Sequence, residues 1–107
     1  MIKNEQLDWL VAEKVMGWHI QEGWMWNYIL EKGSDFEWHP TTDYNQAMEV
    51  CNKMIADGWV DTALIYDNDE WLAEFYKNED DFDGGSARDK LLSRAIVMAS
   101  LKAMEDD

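Results

Sequence analysis

The chain has 107 residues, enough for one domain and too few for two separate cores. With 23 acidic and 9 basic side chains it carries a formal net charge of −14, which disfavours direct binding to nucleic acid or to an anionic membrane. We expect no membrane-spanning segment, because the apolar runs are short, and no internal disulfide, because Cys51 is the single cysteine. These features predict one globular domain, residues 1–107, in a reducing cytoplasm.

The chain begins with a pattern typical of an amphipathic helix over residues 5–16. Asn4 is a candidate N-cap, and Glu5 places negative charge in the first turn, where the helix dipole favours it. Gly17 follows, and glycine is common just after a helix ends. The predicted buried side recurs at helical spacing and comprises Leu7, Leu10, Val11 and Val15.

The following segment favours a first β-hairpin. Residues 24–30, "WMWNYIL", are aromatic and β-branched, which is typical of a strand. Residues 31–35, "EKGSD", predict a turn, and residues 36–38 a short returning strand.

A second helix is predicted over residues 44–56. Thr42 or Asp43 is the candidate N-cap. Asp43 and Gln46 have the spacing of a capping box, in which each side chain accepts a hydrogen bond from the other residue's backbone N–H. Pro40 prevents the helix from starting earlier, because the residue before a proline is biased away from helical geometry. We expect Trp38 to hold the entry to this helix against the core.

After Gly58, two runs rich in aromatic and β-branched residues predict a second β-hairpin. The strands are expected over residues 59–66 and 71–76. Between them, residues 67–70, "DNDE", provide the Asp and Asn residues that tight turns favour.

The next segment predicts a loop and then the last helix. Residues 77–86 are polar and acidic and contain two adjacent glycines, so we interpret them as an acidic loop. Ser86 is a candidate cap for a helix that runs to about Met104, with Asp89 at the capping-box position. Residues 105–107 are expected to form a frayed tail.

The order of the predicted elements, α-ββ-α-ββ-α, indicates the fold class. Helices of this amphipathic kind must bury their apolar side against a sheet or against each other. We therefore expect a single α+β domain in which the helices flank a small antiparallel sheet as a layered sandwich.

Three blocks of the chain share a pattern with a known family. They are residues 4–18, "NEQLDWLVAEKVMGW", residues 38–54, "WHPTTDYNQAMEVCNKM", and residues 94–104, "RAIVMASLKAM". In this order they resemble the phage ABA sandwich domain family, and the first block is the most specific. The resemblance implies a small protein of tailed bacteriophages or prophages, and hence the cytoplasm of an infected bacterium. It transfers no catalytic residues.

Metal and catalytic chemistry are weakly represented in the sequence. The spacing of His and Cys does not match a zinc site. From Glu79 the acids imitate the start of a calcium-binding loop, but Lys90 occupies the position that requires a bidentate carboxylate. His39 lies near Thr41 and Thr42 without a recognisable acid to orient it as a base. We expect no catalytic residue, no metal and no cofactor.

The strongest functional signal is the density of carboxylates around and after the second hairpin. They are Asp67, Asp69, Glu70, Glu74, Glu79, Asp80, Asp81 and Asp83, with Phe82 among them as a candidate anchor. As a hairpin plus loop they would form one negative patch at one end of the sheet, suited to a host protein with a basic surface. The plain alternative is a solvated loop. The seven tryptophans exceed what a small core buries easily, and Trp24 and Trp26 are candidate exposed anchors.

Several functions are compatible with these features. The first hypothesis is a non-enzymatic phage accessory protein that binds and inhibits a host defence or nucleic-acid-processing protein. The second is a sponge for a nucleotide immune signal, whose phosphates would meet Arg88, Lys90, Arg94 and Lys102 on the last helix. A structural phage protein without inhibitory role is the third. A homo-oligomer that buries the aromatic residues would weaken the first two.

Overall fold

The computed structural model describes residues 3–18, 20–21, 24–25, 38–78 and 81–105. The elements in chain order are α1 (Asn4–Lys14), β1 (Ile20–Gln21), β2 (Trp24–Met25), α2 (Tyr44–Ala56), β3 (Val60–Asp67), β4 (Glu70–Asn78), β5 (Asp81–Asp89) and α3 (Leu92–Glu105). The strands form an antiparallel sheet in the order β3-β4-β5 and a separate pair, β1-β2. In these ranges no helix is long and apolar enough to cross a membrane. The predicted α+β class, with helices flanking a small antiparallel sheet, is confirmed.

Helix α1 lies close to its predicted bounds, but its N-terminus is capped differently. Lys3, not Asn4, is the N-cap residue, and its backbone N–H donates to Gln6 Oε1 at 3.0 Å. Asn4 instead accepts a hydrogen bond at 2.8 Å from Nε of Arg94 in α3. Gly17 has a φ of +71°, as expected of the glycine that ends a helix.

The first hairpin is described only in part. Strands β1 and β2 pair with Gln21 opposite Trp24. Residues 26–37, which include the predicted turn and most of the predicted returning strand, lie outside the described part of the chain, and Trp38 lies outside any strand.

Helix α2 has the bounds that the sequence predicted, Tyr44–Ala56. Asp43 is its N-cap and accepts a hydrogen bond from the Gln46 backbone N–H at 3.1 Å. The predicted reciprocal bond, from the Asp43 backbone N–H to the Gln46 side chain, is replaced by another. The Asp43 N–H donates to the His39 carbonyl at 3.0 Å, and Gln46 Oε1 accepts from the His39 backbone N–H at 2.6 Å. The glutamine side chain therefore ties the extended entry segment to the first turn of the helix.

A buried polar network joins α1, the segment before α2, and α3. Asp8 is 5% exposed and accepts from the Thr41 backbone N–H at 3.0 Å and from the Thr41 hydroxyl at 3.2 Å. The Trp38 indole N–H donates to the Asp8 backbone carbonyl at 3.0 Å. The Ser93 hydroxyl donates to the Thr41 carbonyl at 2.7 Å. The prediction that Trp38 holds the entry to α2 against the core is confirmed.

The second hairpin is also confirmed. Strands β3 and β4 pair in register from Asp67 opposite Glu70, with one irregularity between Asp61 and Ala63. The two connecting residues, Asn68 and Asp69, have φ values of +52° and +64°. A two-residue turn with positive φ at both positions matches the right-handed twist of the flanking strands, and Asn and Asp tolerate that conformation better than most residues.

The largest difference from the prediction is β5, which lies where the sequence indicated the acidic loop. It pairs along β4, with Gly85 opposite Phe75. A Cβ atom on Gly85 would lie 2.2 Å from the Ala103 backbone nitrogen and 2.3 Å from the Ala99 carbonyl oxygen. Because α3 packs this closely on the strand, the glycine that suggested a loop is a requirement of helix–sheet packing.

The start of α3 differs for the same reason. Ser86 lies within β5 and caps no helix, and α3 begins only at Leu92. The turn between them is stabilised by Asp89, whose Oδ1 accepts from the Leu91 backbone N–H at 3.0 Å. At the other end, Glu105 of the predicted frayed tail is helical, and residues 106–107 lie outside the described ranges.

The core lies between α3 and one face of the sheet, with α1 and α2 packed against α3. Ala73, Phe75 and Ala87 face the helix and are almost fully buried. Leu72 and Tyr76, which alternate with them along β4, are half-buried on the opposite face. The helices that the structure describes therefore leave the second face of the sheet partly open.

Candidate protein-binding surface

The turn between β3 and β4 concentrates negative charge. Asp67 and Asp69 are exposed and Glu70 is half-buried; we call these three residues the acidic tip. Asp67 lies directly opposite Glu70, so their Cβ atoms are about 5 Å apart. Like charges directly opposite each other destabilise a strand pair. Repulsion between these carboxylates is therefore expected to oppose the pairing of the strands at the acidic tip.

An aromatic pair adjoins the acidic tip. Tyr66 and Trp71 are the next opposed residues along the hairpin, with ring centroids 5.1 Å apart and planes inclined by 54°. Tyr66 is 58% exposed, and Trp71 is half-buried. Aromatic side chains of this kind offer large contact area at low conformational entropy, which suits a protein interface.

Strand β3 extends this surface along the side of the sheet. Leu64, Ile65 and Tyr66 are 37%, 48% and 58% exposed; we call these three consecutive residues the β3 edge. In the part of the chain that the structure describes, β4 is the one strand that pairs with β3. An exposed apolar edge strand is a template for pairing with another chain.

The prediction of one continuous negative patch is wrong. Glu70 is the first residue of β4, and Asn78, its last, lies opposite Asp81. A strand of this length spans about 25 Å. Asp81 and Asp83, with Phe82 between them, therefore begin β5 at the end of the sheet farthest from the acidic tip.

The other predicted acids do not enlarge the acidic tip. Glu79 and Asp80 lie outside the described residues. Glu74 lies in the middle of β4, opposite Ala63 on one side and Ser86 on the other, and is half-buried. The acidic tip is thus the place where the hairpin brings three predicted acids together.

The exposure of the two predicted tryptophan anchors stays a prediction. Trp24 lies in β2 opposite Gln21, and Trp26 lies outside the described residues. Other indoles belong to the core. Three that are at least nine-tenths buried are Trp18, Trp38 and Trp59.

The candidate catalytic cluster serves the fold in this structure. The Thr41 hydroxyl donates to Asp8, and the Thr42 hydroxyl donates to the His39 carbonyl at 3.4 Å. Asp43 Oδ2 lies 4.0 Å from His39 Nε2, so an acid is near the imidazole, but both hydroxyls are directed to other acceptors. Both hydroxyls therefore contribute to the local fold around the entry to α2.

The described residues contain no cluster with metal-binding geometry. No group of three or more His, Cys, Asp or Glu there is arranged to hold an ion. Most of the segment that resembles a calcium-binding loop lies in strand β5. Cys51 is buried and not in a disulfide.

The basic residues proposed to meet nucleotide phosphates are divided between β5, the turn after it and α3. Arg88 lies in β5 and Lys90 just after it, not on the last helix as predicted. Arg94 forms an ion pair with Asp89 and donates to Asn4. Lys102 lies in the last turn of α3, where a cation complements the helix dipole.

The architecture defines a class of protein: a small α+β domain in which helices flank an open antiparallel sheet. The family model of the phage ABA sandwich domain matches residues 9–101. The chain therefore belongs to the phage ABA sandwich domain family, as the resemblance predicted, which indicates a small phage protein. Comparisons with curated proteins and with solved structures found no match.

Sequence reasoning missed the aromatic pair and the β3 edge as surface features. A signal was available: Leu64, Ile65 and Tyr66 follow one another in a predicted strand, where successive side chains point to opposite faces. All three cannot face one core, so at least one apolar side chain had to face outward. What the sequence lacked was the position of α3, which packs over β4 and β5 and leaves β3 exposed on the same face.

Proposed function

We propose that this protein is a non-enzymatic phage accessory protein that binds a host protein with a basic surface and thereby inhibits it. The observation that carries the proposal is the acidic tip beside the exposed Tyr66 and the half-buried Trp71. The carboxylates would pair with basic side chains of the host protein, and the aromatic rings would supply contact area.

The overall charge supports the same partner. A net charge of −14 attracts a basic surface over a distance and raises the rate of association, and salt weakens that attraction. Host enzymes that process nucleic acid carry basic clefts, because they bind phosphates. An acidic protein that occupies such a cleft excludes the nucleic acid and so inhibits the enzyme. The protein itself is not proposed to bind nucleic acid or membrane.

The test is capture of host proteins from a bacterial lysate at low and high salt. The variant Asp67→Asn, Asp69→Asn, Glu70→Gln removes the charge of the acidic tip and keeps the shape of the side chains. The matched control, Glu5→Gln, Glu13→Gln, Asp57→Asn, removes the same number of charges from exposed positions on α1 and after α2.

We expect wild type and control to retain the same host protein at low salt and the acidic-tip variant to lose it. The captured protein is then assayed for activity with and without the purified phage protein. Equal retention by all three proteins would contradict the role of the acidic tip. Retention without loss of host activity would contradict inhibition and favour a structural role.

A further inference from the structure

We infer that the β3 edge accepts an extended segment of the partner as an added strand, and that this segment alternates basic and apolar residues. The inference rests on the proposed function, because it uses the same surface, and it specifies how the partner is held. The backbone of β3 would supply hydrogen bonds, and the acidic tip would select a basic sequence.

Among the described residues, no second strand pairs with β3 and protects its edge from strand addition. Natural edge strands are blunted by lysine, proline, bulges or a covering element. The sequence of β3, "VDTALIYD", contains neither lysine nor proline. Its irregularity lies between Asp61 and Ala63, and from there to Asp67 the pairing with β4 is regular. The regular stretch contains the exposed Leu64, Ile65 and Tyr66.

Both faces of this stretch offer apolar neighbours to an added strand. Ile65 pairs with Leu72 on the open face of the sheet, and Tyr66 pairs with Trp71 on the opposite face. An alternating strand would place its apolar side chains beside Leu64 and Tyr66 and its basic side chains on the face that carries Ile65 and Asp67. Beyond these two pairs lies the acidic tip, where a basic residue of the added strand would meet Asp67.

Charge decides between a partner segment and a second copy of this chain. Two copies paired edge to edge would bring together two chains that each carry a charge of −14. Their acidic tips would both flank the short paired stretch, without basic residues in β3 to compensate. The negative field of this protein attracts a basic segment, whereas it repels a second copy of the chain.

The probe is a synthetic octapeptide of alternating lysine and valine, compared with the same peptide N-methylated at every backbone amide. Both peptides carry the same charges and side chains, but the methylated one cannot donate backbone hydrogen bonds. We expect methylation to weaken binding to the full-length protein at least about tenfold, since several backbone hydrogen bonds are lost. Amide exchange at Leu64 and Tyr66, whose N–H groups are directed away from β4, should slow when the unmethylated peptide is bound.

Two single variants locate the binding edge. Ile65→Lys places a charge on the β3 edge, and Ser86→Lys places the same charge on β5, on the same face of the sheet. We expect Ile65→Lys to weaken binding of the unmethylated peptide about tenfold. Ser86→Lys should bind it nearly as well as wild type.

The outcomes separate this inference from the proposed function. Equal affinity for both peptides, equal effects of both lysine variants, or no binding of either peptide would overturn strand addition at β3. If the peptides bind equally and the acidic-tip variant binds neither, strand addition fails while the acidic tip keeps its role. If the acidic-tip variant binds the unmethylated peptide as wild type does, the charge-based proposal fails instead.

Discussion

Asp8 is a carboxylate that folding removes from water. Burial raises its pKa above the ordinary 3.8, and the hydrogen bonds from the Thr41 backbone and hydroxyl partly offset this. The same side chain links α1 to the segment that enters α2. The buried carboxylate is unfavourable at neutral pH because it is removed from water. Its hydrogen bonds nevertheless fix α1 to the segment that enters α2.

The raised pKa of Asp8 predicts a specific pH dependence of stability. The folded state binds the Asp8 proton more readily than the unfolded state, so the contribution of Asp8 to stability increases as pH falls through the folded pKa. This contribution becomes constant below the pKa of Asp8 in the unfolded chain, which is near 3.8. The variant Asp8→Asn has no such titration. As pH is lowered from 7 to about 4, the free energy of unfolding of Asp8→Asn should fall relative to that of wild type. Urea unfolding at each pH measures this difference.

The exposed Glu13 provides the control for this experiment. Glu13→Gln removes one carboxylate from the surface of α1, so it reports how much of the pH response comes from lowering the net charge. The quantity to follow is the free energy of unfolding of wild type minus that of Asp8→Asn. If it stays constant or decreases as pH falls from 7 to about 4, the assigned pKa direction is wrong.

At the scale of elements, α2 and β5 form for different reasons. Helix α2 has local signals at its ends, the Asp43 cap and Gly58 with a φ of +98°, and its sequence predicted its bounds. Strand β5 has acids and two glycines, which disfavour a strand when considered locally. It forms because β4 pairs along it and α3 packs on it. Tertiary contacts therefore override local propensity in β5.

The close packing of α3 on Gly85 predicts that a larger residue at this position destabilises the fold. Gly85→Ala should lower the free energy of unfolding by about 1–3 kcal/mol, because the new methyl group overlaps the backbone of α3. The exposed Ser86→Ala, one residue along the same strand, should change it by less than about 0.5 kcal/mol. Urea unfolding of both variants tests this. Similar stabilities for the two would contradict direct contact between α3 and β5.

At the scale of the whole molecule, the charge works against the compact state. A net charge of −14 on a small domain produces self-repulsion that the unfolded chain relieves. The opposed carboxylates of Asp67 and Glu70 are a local instance of the same effect. A domain that retains such a charge resists self-association and favours basic partners.

This self-repulsion predicts that salt stabilises the free protein. Raising the ionic strength from about 10 mM to about 150 mM shortens the screening length to about 8 Å, so the thermal midpoint should increase. Sodium chloride and potassium chloride at equal ionic strength should have the same effect if screening is the cause. An unchanged or lower midpoint would show that repulsion does not limit stability. The same change in salt should weaken binding to the host protein.

The sequence by itself determined the features that depend on local chemistry. The bounds of α2 follow from Asp43 and the apolar spacing, the turn of the second hairpin from the Asp and Asn residues, and the family from three blocks in order. Part of the candidate site was also predictable, because Asp67, Asp69 and Glu70 are adjacent in the chain and a tight turn keeps them together.

Only the tertiary structure decided how distant segments combine. It made a strand of residues that look like a loop, because the missing side chain of Gly85 admits α3. It separated Asp81 and Asp83 from the acidic tip, because an added strand places them at the far end of β4. It also left Leu64 and Tyr66 exposed on the face that carries α3, because α3 packs over β4 and β5 and hardly reaches β3. These outcomes depend on contacts between residues far apart in the chain, which local propensity does not encode.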